Sequence, residues 1–169
     1  MKNKIKLLLP VLALILSLMI GACKPTAKVE LNELYGEAIK IIGTTRTNLS
    51  VFASVFNSTT GIEVSYTNWS FKIYSGDELL LEINKDNYQT FSFNVSVSTP
   101  IPSYYTNNLL LISMGIPAYK SGTTETDLFQ GKEPGKLVFD ATVEDINGHV
   151  FTLTGETTVT YREVEGEED

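Results

Sequence analysis

Two runs of alternating apolar residues, joined by a turn, lie at residues 137–153, LVFDATVEDINGHVFTL. From Leu137 to Val143 every second residue is apolar, a period that is typical of a β-strand with one buried face. Asn147-Gly148 favours a tight β-hairpin, because Asn and Gly readily adopt the backbone angles that such a turn requires. The stretch therefore predicts two antiparallel strands joined by a short turn.

The same period of two residues recurs upstream and continues to the C-terminal part of the chain. Residues that favour turns, chiefly Gly, Asn, Asp and Ser, separate these runs and predict turns at Ser75-Gly76-Asp77 and at residues 84–87. The predicted strands cover residues 49–55, 62–66, 69–73, 79–83, 91–97, 137–143 and 151–153, with a last one through Val159 and Tyr161.

The exception to this alternation lies between Pro100 and Gly115. Here Leu109, Leu110, Leu111 and Met114 could form one face of a short helix in the 104–114 region, and a buried strand is the alternative. About seven or eight short strands without regular βαβ alternation indicate an all-β fold. We expect an immunoglobulin-like antiparallel β-sandwich over residues 31–162.

The N-terminus has the features of an export signal. Lysines at positions 2, 4 and 6 precede an apolar run from Leu7 to Ile20. A helix that spans a bilayer needs about 20 apolar residues, so this run is too short to be one. We therefore expect residues 1–22 to be a signal peptide that is removed.

The end of this segment, Ile20-Gly21-Ala22-Cys23, resembles the lipobox of bacterial lipoproteins. The resemblance implies cleavage before Cys23 and acylation of that cysteine, for example with palmitate, so that the partner is a membrane bound through the acyl chains. Cys23 is the only cysteine and has no disulfide partner within the chain. An ordinary secretory signal with an accidental cysteine is the alternative.

Residues 23–30 are expected to be a lipidated tether that lifts the domain off the bilayer. The residue after the cysteine is Lys24, not the aspartate that resembles an inner-membrane retention signal in bacteria with two membranes. The expected location is the cell envelope, and the outer membrane where the host has one.

The charge balance excludes some classes of partner. Removing residues 1–22 takes away three of the 13 Lys and Arg residues and none of the 20 Asp and Glu residues, leaving a net charge of about −10. Nucleic-acid binding depends on clustered Lys and Arg, and so does attachment to anionic lipid through a basic patch. We expect no nucleic-acid partner.

Candidates for catalysis and metal binding are few. His149 beside the predicted turn is the only histidine, and a His-based relay would need a nucleophile and an orienting carboxylate. Asp145-x-Asn147-Gly148 resembles part of a calcium loop but lacks the other ligand positions, and a hairpin turn explains the same residues. We expect no catalytic residue, metal or cofactor.

Acidic residues are frequent enough for pairs to arise by chance. Glu78 with Glu82, or Glu125 with Asp127, would have to lie about 5 to 10 Å apart to act as a glycosidase pair, and we expect no enzyme. Residues 163–169 predict a disordered, solvated acidic tail. Four Asn-x-Ser/Thr sequons are interpreted as a by-product of polar strand faces, and they begin at Asn48, Asn57, Asn68 and Asn94.

Aromatic residues are the remaining candidates for ligand binding. Trp69 is in phase with Phe71 and Ile73, which predicts a position in the core. Tyr74 is out of phase with that face, and Tyr104-Tyr105 lies beside a proline-rich loop. Tyr74, Tyr104 and Tyr105 are therefore the candidate residues for an exposed stacking surface.

The order of these features resembles the water-stress and hypersensitive-response (WHy) domain of atypical late-embryogenesis-abundant proteins. The matching pieces are Asn48 to Asn57, Gly61-Ile62-Glu63-Val64, Trp69 to Tyr74, Ser75-Gly76, Glu78 to Ile83, Tyr88 to Ser98, and Tyr104 to Gly115, within residues 28–160. The family typically has Asn-Pro where this chain has Asn57-Ser58. The resemblance implies a non-enzymatic β-sandwich with a stress-protective or structural role. A binding module for an envelope protein or polymer is the alternative.

Overall fold

β-Strands form two stacked sheets in the computed structural model, which describes residues 25–44, 47–90, 94–97, 100–103, 105–112 and 129–166. In chain order the strands are β1 (Val29–Ile41), β2 (Thr47–Asn57), β3 (Val64–Ser75), β4 (Glu78–Asn84), β5 (Asn94–Val97), β6 (Tyr105–Ile112), β7 (Lys136–Asp145), β8 (Val150–Thr158) and β9 (Thr160–Val164). A single 3₁₀ turn at Tyr88–Thr90 is the only helical segment among the described residues. The predicted all-β sandwich of two mainly antiparallel sheets is confirmed.

The first sheet has the strand order β5-β6-β2-β1-β9, and the second has the order β4-β3-β7-β8. All strand pairs in the described residues are antiparallel except β1 with β9, which is parallel. We call the end of the sandwich where β1 begins the N-terminal end. It comprises residues 25–28, the β2–β3 connection, residues 100–103 and the β7–β8 turn. The opposite end, with the β3–β4 turn, is called the far end.

The core lies between the two sheets and is filled by the inward residues of the alternating runs. Leu137, Phe139 and Val143 are fully buried, as their spacing predicts. Phe71 packs on Phe139 with ring centroids 5.0 Å apart, at the centre of the second sheet. Trp69 is buried and makes an edge contact with Phe71, so the prediction that it belongs to the core is confirmed.

The predicted helix in the 104–114 region is wrong, and the alternative of a strand is correct. Residues 105–112 form β6, which pairs with β2 from Tyr105 opposite Asn57 to Ile112 opposite Ser50. The strand extends the first sheet beyond β2 and supplies partners to the backbone groups along that side of β2. Residues 104, 113 and 114 lie outside the described part of the chain.

Of the strand predicted over residues 91–97, the structure describes residues 94–97, and these are in a strand. The 3₁₀ turn at Tyr88–Thr90 comes first, and β5 then covers Asn94–Val97. Phe91 and Phe93 lie outside the described residues. No helix in the described part of the chain has the length and apolar character needed to cross a bilayer.

Strand β1 is the main element that the sequence pattern did not predict. It lies at the centre of the first sheet, between β2 and β9. Its alternation is broken by a bulge between Leu31 and Glu33, and its first half is only partly covered. The folded domain starts before the predicted boundary at residue 31, because β1 begins at Val29 and Ala27 is already buried.

Candidate functional site

The carboxylate of Asp145, at the end of β7, is the centre of a hydrogen-bond network at the N-terminal end. Its side chain is fully buried. Oδ1 accepts hydrogen bonds from the backbone N–H groups of Asn147 (2.8 Å) and His149 (3.0 Å). Oδ2 accepts one from the N–H of Ala27 (3.2 Å) and lies 2.8 Å from His149 Nδ1. Both carboxylate oxygens are therefore occupied by the protein itself.

These contacts explain the acidity of Asp145. Burial by itself would raise the pKa of the carboxyl group, because it penalises the charged form. The hydrogen bonds from His149, Ala27 and Asn147 favour the carboxylate and outweigh burial, so that the pKa is lowered to about 2. Asp145 is consequently a charged group at neutral pH, held inside the end of the sandwich.

The chain segment at residues 25–28 is held against the domain by the same turn. The side-chain amide of Asn147 donates a hydrogen bond to the carbonyl of Pro25 (2.8 Å), and the side chain of Ala27 is buried. On the other side, the N–H of Lys28 donates to Thr59 Oγ1, and the N–H of Ser58 donates to the carbonyl of Lys28 (2.9 Å). Residues 25–28 were expected to be part of a tether, but they are a fixed part of the sandwich.

Asn57, the last residue of β2, connects two further loops at this end. Its fully buried side chain donates to the carbonyl of Ile62 (2.6 Å) and accepts from the N–H of Thr59 (3.1 Å). Val64 and Ile101 exchange backbone hydrogen bonds of 3.1 and 2.7 Å beside it. Buried in this way, Asn57 is not accessible for glycosylation in the folded protein.

The other three sequons differ in exposure. Asn68 is exposed, and its side-chain oxygen accepts a hydrogen bond from the N–H of Trp69 (2.9 Å). Asn48 is half-buried on β2, and Asn94 begins β5.

The structure favours the hairpin interpretation of Asp145-x-Asn147-Gly148. The N–H of Gly148 donates to the carbonyl of Asp145 (2.9 Å), and Gly148 has a φ of 86°. A turn followed by a left-handed glycine is a common hairpin connection, in which a side chain at the glycine would be strained. His149 lies beside this turn with its side chain partly exposed. Among the described residues, no group of three or more His, Cys, Asp or Glu side chains could hold a metal ion.

Two of the three candidate tyrosines, Tyr74 and Tyr105, occupy backbone positions at opposite ends of the sandwich. Tyr74 lies near the far end of β3, half-buried, with Lys136 Nζ 5.0 Å from its ring centroid. Tyr105 begins β6 in the other sheet, opposite Asn57 at the N-terminal end. Ten residues of β3 separate Tyr74 from that end, or about 33 Å. Tyr104 is outside the described residues.

Of the two candidate carboxylate pairs, Glu78 with Glu82 lies farther apart than a glycosidase pair requires. Glu78 and Glu82 lie on the same strand, about 13 Å apart at the usual rise per residue. Glu78 forms an ion pair with Lys132 instead. Glu125 and Asp127 are outside the described residues.

The predicted acidic tail is in part a strand. Glu163 and Val164 belong to β9, where Val164 pairs with Ile41 of β1. Gly166 is the last residue that the structure describes. The predicted tail therefore begins within the folded domain.

At the far end, Lys136, Glu156, Thr157 and Thr158 line an open groove of about 400 Å³. The groove is shallow and polar, and it contains one cation and one carboxylate.

Comparisons with known proteins give only weak structural likeness. No protein-family model matches the sequence, and no curated protein is significantly similar to it. Among solved structures, the chain is similar to the crystal structure of ACE19, the collagen binding subdomain of the Enterococcus faecalis surface protein ACE. The identity is 12%, the match covers 75% of this chain and 95% of that chain, and the TM-score is 0.24. A likeness at this level carries no argument about function.

The connection between Asp145 and Ala27 could not have been found in the sequence. The two residues are 118 positions apart, and no sequence motif links them. The only local signals were the turn sequence around Asn147 and a small apolar residue, Ala27, within a polar stretch. The sequence marks Asn57 only as the start of a sequon and the end of a strand.

Proposed function

We propose that this chain is a lipid-anchored envelope protein whose non-catalytic β-sandwich has a stress-protective or structural role. The signal segment and the lipobox-like Ile20-Gly21-Ala22-Cys23 support export and acylation. The observation that carries the proposal furthest is the attachment of residues 25–28 to the N-terminal end. The folded domain begins two residues after Cys23, so the acylated cysteine would be joined to the sandwich with almost no free chain.

The electrostatics of the domain agree with attachment by acyl chains. The mature chain carries a net charge of about −10, so electrostatic attraction to anionic lipid would not hold it. One acyl chain binds a membrane weakly, whereas two or more bind it stably. The outer membrane is the proposed location in a host with two membranes, because Lys24 follows Cys23.

The first experiment replaces the cysteine. Cys23→Ser should leave the protein uncleaved or release it from the membrane fraction, and mass spectrometry of the wild-type N-terminal peptide should detect acyl groups on Cys23. Lys24→Ser is the matched control, which should remain acylated and in the membrane. An unmodified wild-type Cys23 would refute the proposal.

The role of the anchored domain is tested separately. A strain that lacks this chain should survive osmotic and drying stress less well than the same strain with the chain restored. Unchanged survival would refute the protective role.

The second candidate function is a binding module, and one observation favours it. Strand β8 is an edge of the second sheet, with exposed Thr152 and Thr154 on its outer face and the polar groove at its far end. Such an edge can accept an added strand from a partner. A partner that is cross-linked in stoichiometric amount through β8 on intact cells would favour this function. Its absence would leave the structural role.

A further inference from the structure

The tip of the β7–β8 hairpin exposes two large aliphatic side chains. Ile146 is 68% exposed and Val150 is 61% exposed, the highest values among the large hydrophobic residues that the structure describes. Polar residues are usual in a hairpin turn, so a pair of exposed aliphatic side chains suggests a contact surface. The backbone at the tip is fixed, because the N–H of Ile146 donates to the carbonyl of Glu63 (3.3 Å).

The same tip holds the chain that leads to Cys23. Asn147, the neighbour of Ile146, donates its side-chain hydrogen bond to the carbonyl of Pro25. Two peptide units span at most about 7 Å, so Cys23 cannot lie farther than this from Pro25. An acyl chain on Cys23 would therefore enter the bilayer close to Ile146 and Val150.

We propose that Ile146 and Val150 form a membrane-contact surface that rests in the interfacial layer of the bilayer beside the acylated cysteine. This inference rests on the proposed lipidation of Cys23. The acyl chains bring the tip to the bilayer, and the two aliphatic side chains then leave water for the acyl boundary. Asp145 and Asn147 act as positioning residues, since they fix the turn and the segment at residues 25–28 relative to each other.

The charges around the tip indicate the type of lipid. Glu63 and Glu144 are both exposed and flank the turn, while Lys28 is an exposed cation on the neighbouring segment. Two carboxylates beside one ammonium group give no net attraction to an anionic surface. The contact is therefore apolar, and it should form on neutral phosphatidylcholine as well as on anionic lipid.

The experiment uses the full acylated protein in phosphatidylcholine vesicles. Cys23 is blocked by its lipid, so single variants Ile146→Cys and Val150→Cys can be labelled with a nitroxide. Leu79→Cys is the matched control, because Leu79 is also an exposed aliphatic residue (47%) but lies near the β3–β4 turn at the far end. The measured quantity is the collision rate of each label with a water-soluble nickel complex and with oxygen.

The expected result is severalfold protection from the nickel complex at positions 146 and 150, with greater oxygen exposure than at position 79. Equal nickel accessibility at all three positions would overturn the inference. Protection that disappears when the protein is diluted on the vesicles would also overturn it, since a second copy would then cover the tip. If the protection disappears when a co-purified protein is removed and the lipid is unchanged, that protein and not the bilayer covers the tip, and the inference is overturned.

Co-sedimentation with the vesicles separates this inference from the proposed function. Protein that fails to co-sediment would show that the acyl anchor itself is missing. Protein that co-sediments with water-exposed labels at the tip would leave the anchor in place and refute only the membrane contact. The double variant Ile146→Ser with Val150→Ser should still co-sediment, because the acyl chains hold the protein.

Discussion

At the scale of the residue, Asp145 is expected to have a large effect on stability. Asp145→Ala would leave the backbone N–H groups of Ala27, Asn147 and His149 without their acceptor. The bond from Ala27 is buried and those from Asn147 and His149 are partly buried, and a fully buried donor without a partner costs about 1 to 3 kcal/mol. We expect the free energy of unfolding to fall by about 3 kcal/mol or more, as measured by urea denaturation.

Asp140→Ala is the matched control for this substitution, on the same strand. Asp140 accepts from Lys72 Nζ (3.0 Å), but its side chain is 41% exposed, and exposed ion pairs contribute about 0 to 1 kcal/mol. A similar loss for both variants would contradict the central role of the Asp145 network.

The lowered pKa of Asp145 predicts how stability depends on pH. The folded-state value of about 2 lies below the ordinary value of 3.8, so the carboxylate is stabilised by folding. This contribution is fully present above about pH 4 and is lost as the pH falls towards 2. Asp145→Asn should flatten the dependence of the urea midpoint on pH between 4 and 2. If the urea midpoint of the variant depends on pH as steeply as that of the wild type, the loss of stability at low pH comes from other carboxyl groups.

At the scale of the element, local patterns predicted the second sheet better than the first. Each strand of the second sheet has one buried face. Turns with clear sequence signals join β3 to β4, at Ser75-Gly76-Asp77, and β7 to β8, at Asn147-Gly148. Strand β1 was missed because a bulge at Leu31 interrupts its alternation. β6 was mistaken for a helix because Leu109, Leu110 and Leu111 follow one another, and a continuous apolar run has no period.

The candidate site was less predictable than the strands for a physical reason. Periodicity reports which face of an element is buried, but not which distant segment meets its end. The Asp145 turn was interpreted correctly as a hairpin, whereas its bond to Ala27 depends on how β1 enters the first sheet.

The close approach of β1 to β8 gives a prediction at this scale. A Cβ added at Gly155 would overlap Cδ2 of Leu31, which crosses over that position. Gly155→Ala should therefore destabilise the protein by about 0.5 to 1.5 kcal/mol, because the end of the Leu31 side chain must leave its rotamer to make room. Thermal unfolding followed by circular dichroism measures the loss.

A double-mutant cycle identifies the cause of that loss. In a Leu31→Ala background the overlap is absent, so Gly155→Ala should cost about 1 kcal/mol less than in the wild type. Glu156→Ala, at the next and exposed position of β8, should have almost no effect. Additive losses at positions 31 and 155 would contradict the predicted contact.

At the scale of the whole molecule, the two ends of the sandwich differ in character. The N-terminal end contains the buried Asp145 network, the segment that follows Cys23 and the exposed Ile146 and Val150. The far end contains the polar groove, and β9 runs towards it parallel to β1. A strand of 12 residues such as β3 is about 40 Å long. If Cys23 is acylated, the far end therefore stands at most about this distance above the membrane.

This arrangement depends on the short connection between the cysteine and the domain, and lengthening the connection tests it. A flexible Gly/Ser insertion of about eight residues between Lys24 and Pro25 has a root-mean-square length of about 16 Å. The hydrogen bonds from Pro25 onwards remain, so the fold and the acylation should not change. The tip at Ile146 should lose most of its protection from water-soluble reagents, because the anchor no longer holds it at the bilayer. Energy transfer from a dye at position 79 to a headgroup dye should become weaker and more broadly distributed.

The same insertion after Gly166 is the control and should alter neither quantity, since residues 165–166 lie beyond β9 and outside the network that holds Pro25. Unchanged protection with the longer connection would mean that the tip finds the membrane without help from the short connection to Cys23.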